Sequence, residues 1–418
     1  MTPSSAVDGR QAWIRLVIAC GLSSLAAVGM WAPAVFLPVI QAEFGIDRGS
    51  ASFAYTATTI GFGIGGLIMG RLSDRFGILV PVLLGAVMLS AGFGLSALAQ
   101  SYWQYLVAQA VFAGMLGASA GFSPLLADIT LWFQKRRGIA VALVASGNYL
   151  GGAFWPPLLQ WATQDYGWRG AHGLVAVICL AGMVPLALCL RRKPPAEAAS
   201  ASTSPMAASG SAFQVESLPA SPRMVQTLIM LAGIGCCVAM AMPQVHIVAY
   251  CTDLGFGIAV GAQMLSLMLG LGIVSRVASG LIADRIGGLR TLLLGSTLQC
   301  LALMLFIPFN GLASLYVVSA VFGLAQGGII PSYALVVRDF FPAKEAGSRI
   351  ASVIAATIAG MALGGWLSGE IYDVTGSYQA AFINGIVWNL LNMAIMYWLL
   401  RAKRPGTPRS MPLPAAAG

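Results

Sequence analysis

Apolar residues run through this sequence in long blocks, separated by short turns that carry Gly, Pro and most of the charges. Crossing a bilayer as a helix takes about 20 mostly apolar residues. Twelve blocks meet that length, approximately 14–40, 49–70, 78–99, 103–130, 138–160, 168–190, 223–252, 257–283, 289–309, 313–337, 347–369 and 378–400. In hydrocarbon every backbone amide needs an internal partner, which leaves only helices or a closed barrel. These blocks are too long and too uniformly apolar for barrel strands, which alternate over about 10 residues. The pattern predicts an all-α membrane protein of twelve transmembrane helices.

Composition agrees. Of 418 residues, 58% are hydrophobic and 9% charged, with a mean hydropathy of +0.82. A soluble domain carries about 25% charged residues, so soluble enzymes, secreted disulfide scaffolds and disordered tails are excluded. The formal charge of +9 sits in the short turns, where it reads as a topology signal and not as a nucleic-acid surface. Seven cysteines lie in or beside apolar blocks without paired CxxC spacing, and only two histidines accompany them. They read as buried thiols, with no metal site and no cofactor. The polar start MTPSSAVDGRQA leads into an apolar run too long for a signal-peptide core, so an uncleaved first helix is expected.

With the N-terminus inside, 20 of the 23 Lys and Arg residues fall in cytoplasmic segments, against Arg48 and Arg169 outside. This bias predicts both termini in the cytoplasm, and the expected location is a bacterial inner (plasma) membrane. The longest polar gap, rich in Ala, Ser and Pro, reads as a flexible linker. It divides the chain into an N-terminal six-helix bundle (1–190), a cytoplasmic linker (191–222) and a C-terminal six-helix bundle (223–418). A repeat supports the division: GRLSDRFG at Gly70–Gly77 recurs 210 residues on as GLIADRIG at Gly280–Gly287, each time between the second and third helix of its half.

The doubled G-x-x-x-D-R-x-G turn, the 6+6 count and the central linker resemble the major facilitator superfamily over nearly the whole chain. The resemblance implies two pseudo-symmetric six-helix bundles around a midplane substrate site, rocking to open it to each side in turn. A narrower stretch, WFQKRRGIAVALVASGNYLGG from Trp132 to Gly152, is similar to the helix 4–5 junction of the monocarboxylate transporter family, including its oxalate/formate exchanger branch. Arg276, followed by the Gly280 turn, resembles that family's substrate arginine.

Arg276 is the one cation predicted far inside a span. Eight residues before Asp284, it lies roughly 12 Å from the helix end by helical rise. Such a charge costs at least about 2.5 kcal/mol on insertion scales, and a guanidinium stays protonated. No acidic residue is predicted at its depth, so a transported anion is its natural partner, and its planar fork suits a carboxylate. The bland alternative is an arginine tying helices together through carbonyls or reaching Asp128. His246, about 10 Å below the outer surface by the same rise, could donate to a carboxylate or carry a proton; it could equally be a neutral ring bonded to a neighbouring helix. Asn148 and Gln326 fall near mid-depth as neutral donors, with Tyr333, Thr357 and Asn384 as lesser candidates, although such side chains more often bridge helices. Asp74 and Asp284 occupy the repeated turns, flanked by Arg75 and Arg285. The superfamily pattern implies that Asp74 meets the start of helix eleven near Arg349 and Asp284 the start of helix five near Arg137, latching the cytoplasmic side. Asp128, near the cytoplasmic end of helix four, is expected to pair with Arg75 or Arg137 at the same gate. The sets Gly61, Gly63, Gly65, Gly66 and Gly147, Gly151, Gly152 read as close helix packing.

The chain also departs from that family. The oxalate-exchanging branch carries a second cation in helix eleven, yet Ile350–Trp366 has no ionisable residue. Animal-type members carry an Asp one turn before the helix-eight arginine and a Lys in helix one. Here Gly272 stands at the first position and the first span has no Lys. One cation argues for one carboxylate. The expected activity is secondary transport of a small monocarboxylate such as lactate or pyruvate, coupled to a proton, by a monomer. The alternatives are exchange of other organic anions or drug export, and more remotely an intramembrane enzyme or sensor.

Overall fold

The computed structural model describes residues 7–192 and 221–402, so the expected linker falls almost wholly outside the described residues. Long apolar helices make up nearly all of it: α1 (Arg10–Phe44), α2 (Arg48–Phe76), α3 (Leu79–Ala97), α4 (Tyr102–Ile129), α5 (137–166), α6 (168–188), α7 (Pro222–Asp253), α8 (Ile258–Ile286), α9 (Gly288–Leu305), α10 (Leu312–Phe340), α11 (Ala343–Thr375) and α12 (Tyr378–Ala402). The helical run Arg137–Arg191 counts 55 residues. At about 1.5 Å per residue it is more than twice a hydrocarbon core, and it is two spans: Gly167, at φ 68° and ψ 171°, breaks it. With that break the described residues hold twelve spans.

Local chemistry sets the helix ends. The Asp47, Ser101 and Ser221 side chains accept the N–H groups of Ser50, Gln104 and Met224, capping α2, α4 and α7. The doubled motif ends each time in a glycine at positive φ, Gly77 at φ 78° and ψ 169° and Gly287 at φ 85° and ψ 161°, an essentially glycine-only region that costs an L side chain about 1–3 kcal/mol. Helices α1–α6 pack among themselves, and so do α7–α12; the halves meet chiefly through α2 on α11, α5 on α8 and α1 on α7. The glycine sets do pack closely. A Cβ at Gly61 would strike the Ala110 carbonyl, one at Gly65 the Met115 carbonyl and one at Gly151 the Ser24 carbonyl. α4 is irregular, passing through a π-helix at Ala108–Gly117 and a 3-10 turn at Ala118–Gly121. α10 breaks at the corresponding place in its half, between Gln326 and Ile329.

One face of the molecule carries the ends of α1 and α12 that lead to the chain termini, and is called the terminal face; the other is the far face. α2 and α11 run antiparallel in contact from the far face (Gly49 beside Glu370) through Thr56, whose hydroxyl donates to the Ala362 carbonyl at 2.6 Å, to Gly63 beside Ile358. Toward the terminal face the contact ends: Gly70 and Gly347 have open space around them.

Candidate functional site

Arg276 projects from α8 at the contact between the halves. Its Nε donates to the Gly327 carbonyl at the break in α10 (3.3 Å), and Nη1 donates across to the Ala145 carbonyl of α5 (3.1 Å). The guanidinium stacks on the Tyr149 ring, 4.3 Å from its centroid. Two of five N–H donors are thus on carbonyls, and among the described residues no carboxylate pairs with it. Tyr149 also accounts for Gly272: a Cβ there would lie 2.6 Å from the tyrosine ring. A π face borders the arginine in the space an acidic side chain would need.

Two further expected residues gather here. Gln326 directly precedes Gly327; its Oε1 accepts from Gln244 Nε2 at 2.5 Å, while its own Nε2 is buried without a partner, as is Gln244 Oε1. Unmatched buried amides of this kind call for a ligand or water. Asn148 lies one turn from Ala145, and its half-buried amide makes no hydrogen bond among the described residues; its carbonyl receives Trp31 Nε1 at 3.4 Å.

Four expected residues lie elsewhere. The Tyr333 hydroxyl donates to Asn392 Oδ1 (2.9 Å), and Asn392 in turn bonds Ser296 Oγ (2.8 Å); these are bridges inside the second half. Thr357 donates to the Ile354 carbonyl one turn back. Asn384 sits on α12, which packs on α7, α9 and α11, away from Arg276. His246 is fully buried, with Nε2 on the Gly365 carbonyl (2.7 Å) and Nδ1 on the Tyr378 hydroxyl (3.1 Å). That is the neighbour-bonded ring, not a ring facing a substrate.

Tyr378 leads to a cluster that sequence reading missed. Arg48, taken as a topology charge, is 6% exposed. It forms a two-pronged pair with Asp253 (Nη1 and Nη2 at 3.1 Å each) and donates Nη1 to the Tyr378 hydroxyl at 2.6 Å. The backbone N–H groups of Arg48 and Gly49 reach the Asp373 carboxylate at 2.9 and 2.5 Å, an acid at the positive end of α2. The far face of α2 is therefore bonded to α7, α11 and α12 of the other half. The only sequence signal was an arginine immediately after the N-cap Asp47.

The terminal face differs. Asp74, Arg75, Asp284 and Arg285 are exposed and form no ion pair among the described residues. Arg349 pairs with Glu345 of its own helix (2.7 Å), and Arg137 donates to the carbonyls of Thr130 and Phe133. Extending the register that sets Arg276 beside Ala145 brings Asp284 level with Arg137. Neither expected pair, Asp74 with Arg349 or Asp284 with Arg137, is formed among the described residues. Asp128 is a correction: it pairs with neither Arg75 nor Arg137. Arg15 takes it, through Nε at 2.6 Å and Nη2 at 2.8 Å, with both side chains at most 8% exposed. Arg15 Nη1 also donates to the carbonyls of Leu190 and Arg192, and its guanidinium lies 4.6 Å over Trp132. This brace ties α1, α4 and the end of α6 within one half; the charge count along the sequence places Arg15 only among the cytoplasmic cations.

The profile of the Major Facilitator Superfamily matches residues 19–315 and 278–417. The chain belongs to the major facilitator superfamily. It is a multi-pass membrane transporter, not an enzyme. Within the superfamily it is 28% identical over 387 residues to monocarboxylate transporter 13 of Rattus norvegicus, covering 90% of this chain and 86% of the relative. It is 25% identical over 393 residues to agnestins efflux protein AgnL12 of Paecilomyces divaricatus, covering 93% and 86%. A solved peptide transporter POT in complex with sulfate shares the fold, with a TM-score of 0.74 at 14% identity over 96% of this chain and 99% of that one.

Proposed function

We propose that this transporter carries small monocarboxylates, of the lactate or pyruvate size, together with a proton, by alternating access. The observation that carries the reading is Arg276: a permanent cation at the contact between the halves, held by two carbonyls and a π face, with no carboxylate among the described residues to neutralise it. A carboxylate substrate supplies the missing charge through a charge-assisted hydrogen bond, and Gln326 and Asn148 offer neutral donors beside it. One cation suits one carboxylate. Both termini are cytoplasmic in this reading, following the distribution of Lys and Arg, so the bonded far face is the outer side and the molecule is closed outside and parted inside. Asp74 with Arg349, and Asp284 with Arg137, then act as inner latches that pair when the cytoplasmic side shuts.

Uptake of radiolabelled lactate into proteoliposomes tests the proposal. Uptake should rise with an inward proton gradient and be lost in Arg276→Ala. Uptake indifferent to both would remove it. A second reading, export of a larger organic anion, combines the unpaired Arg276 with the likeness to the fungal agnestins efflux protein; lactate-insensitive transport that still requires Arg276 would favour it.

A further inference from the structure

We infer that the outer seal is a proton-operated latch, in which neutral His246 holds Arg48 closed against the second half and protonation of His246 releases it. The inference rests on the alternating-access reading above, but on none of its substrate assignments.

The argument is one of hydrogen-bond direction. His246 Nε2 lies 2.7 Å from the Gly365 carbonyl. A carbonyl only accepts, so this nitrogen carries a proton. At the other end Arg48 Nη1, which only donates, lies 2.6 Å from the Tyr378 oxygen. Between them the Tyr378 hydroxyl and His246 Nδ1 are 3.1 Å apart. The single arrangement that satisfies every group runs one way: Arg48 donates to Tyr378, Tyr378 donates to His246, His246 donates to Gly365. It requires a neutral ring. A proton on Nδ1 reverses the middle bond, so that the phenol oxygen faces two cationic donors and its own proton loses its acceptor. In a buried site, a reversed bond and a second positive charge are both costly.

The surrounding charges do not change the sign. On α7 itself stand Tyr250, Cys251 and Asp253, the last held by Arg48. α11 contributes Glu370, which accepts from Trp366 Nε1, Tyr372, whose ring lies 4.6 Å beneath the Arg48 cation, and Asp373, bound to the start of α2. α2 contributes Arg48 and Tyr55, and α12 Tyr378. The outer half of α1 carries Glu43, paired with Arg169; that of α8 has no ionisable group, and that of α9 only Cys300. No carboxylate touches the ring to welcome its proton, and the charge linked to it through Tyr378 is positive. Protonation therefore favours the open outer state, in which water reaches the ring, and raising the pH favours closure. The coupled elements are the two halves: Arg48 belongs to the first, and His246, Tyr378, Asp253 and Gly365 to the second.

The test uses the full chain in nanodiscs with spin labels at the exposed outer positions Gln100→Cys and Asn310→Cys, after Cys20 and Cys189 are replaced by serine. Electron–electron distance measurements at about pH 8 and about pH 5 read the outer separation without substrate. A single linked proton changes the open-to-closed ratio by up to about tenfold per pH unit, and the unsubstituted latch should shift toward the long distance at low pH by about tenfold or more over that range. His246→Gln, which keeps a donor and an acceptor but cannot take the proton, should stay closed at both values. Tyr378→Phe, which removes the hydroxyl link but leaves the ring buried, should weaken the response while Arg48 still meets Asp253. A pH response that survives in His246→Gln, one undiminished in Tyr378→Phe, or an unsubstituted protein whose separation ignores pH, overturns the latch. If labels respond but lactate uptake fails, the substrate assignment falls and the latch stands. If proton-driven uptake proceeds while the labels stay fixed, the latch falls alone.

Discussion

Replacing Arg276 with alanine separates a substrate-binding cation from a structural tie, because the two roles move stability in different directions. An arginine at mid-span costs at least about 2.5 kcal/mol to hold in the membrane. Its two carbonyl acceptors, Gly327 and Ala145, take bonds from a charged donor and return about 1.5 kcal/mol each at the low end of that class. These terms nearly cancel, so Arg276→Ala should unfold thermally within about 1 kcal/mol of the parent when no ligand is present. The loss belongs to binding. A charge-assisted bond to a carboxylate is worth about 1.5–3 kcal/mol, a weakening of roughly 10- to 100-fold. At a lactate concentration of about 100 times the parent Kd, the parent gains about 2.7 kcal/mol, whereas a variant binding 100-fold more weakly gains about 0.4 kcal/mol. Thermal unfolding in detergent across a lactate titration measures both quantities on one sample. Arg276→Lys keeps the charge but not the planar fork, and should fall between. The reasoning is refuted if Arg276→Ala loses several kcal/mol without ligand, or if it keeps the parent's stabilisation by lactate.

Other outcomes follow from particular contacts. Arg15→Ala should destabilise the first half by about 3–5 kcal/mol, because Asp128 is left buried and unpaired, while Arg15→Met with Asp128→Leu should restore most of that; unfolding midpoints of the single and double variants decide it. Gly65→Ala drives a methyl group into the Met115 carbonyl and should cost about 1–3 kcal/mol, whereas Gly70→Ala, with nothing within 4 Å, should leave the melting curve unchanged or slightly raised. Arg137→Cys with Asp284→Cys should cross-link only when the cytoplasmic side closes, since a disulfide needs Cα atoms within about 7 Å; cross-linking that arrests transport supports the inner latch, and active protein that never cross-links refutes it. Gln326→Leu removes the amide shared with Gln244 and should weaken lactate stabilisation, with unchanged stabilisation arguing that the amide pair lies outside the site.

The sequence alone determined the number of spans, their ends to within about six residues, and the two repeated turns. These follow from local quantities: hydropathy summed over about 20 residues, the positive φ demanded after each D-R-x, and the helical rise. What a charged side chain meets is not local. Arg15 and Arg48 carry the same one-residue signal as the solvated arginines around them, and only helix packing decided that one reaches Asp128, 113 residues away, and the other Asp253, 205 residues away. His246 was legible as a buried ring, yet its partners Tyr378 and Gly365 come from α12 and α11. Tyr149 occupies the space beside Gly272 because α5 and α8 cross there. Hydropathy determines which residues enter the membrane, and the contacts between helices determine which polar groups, once inside, find one another.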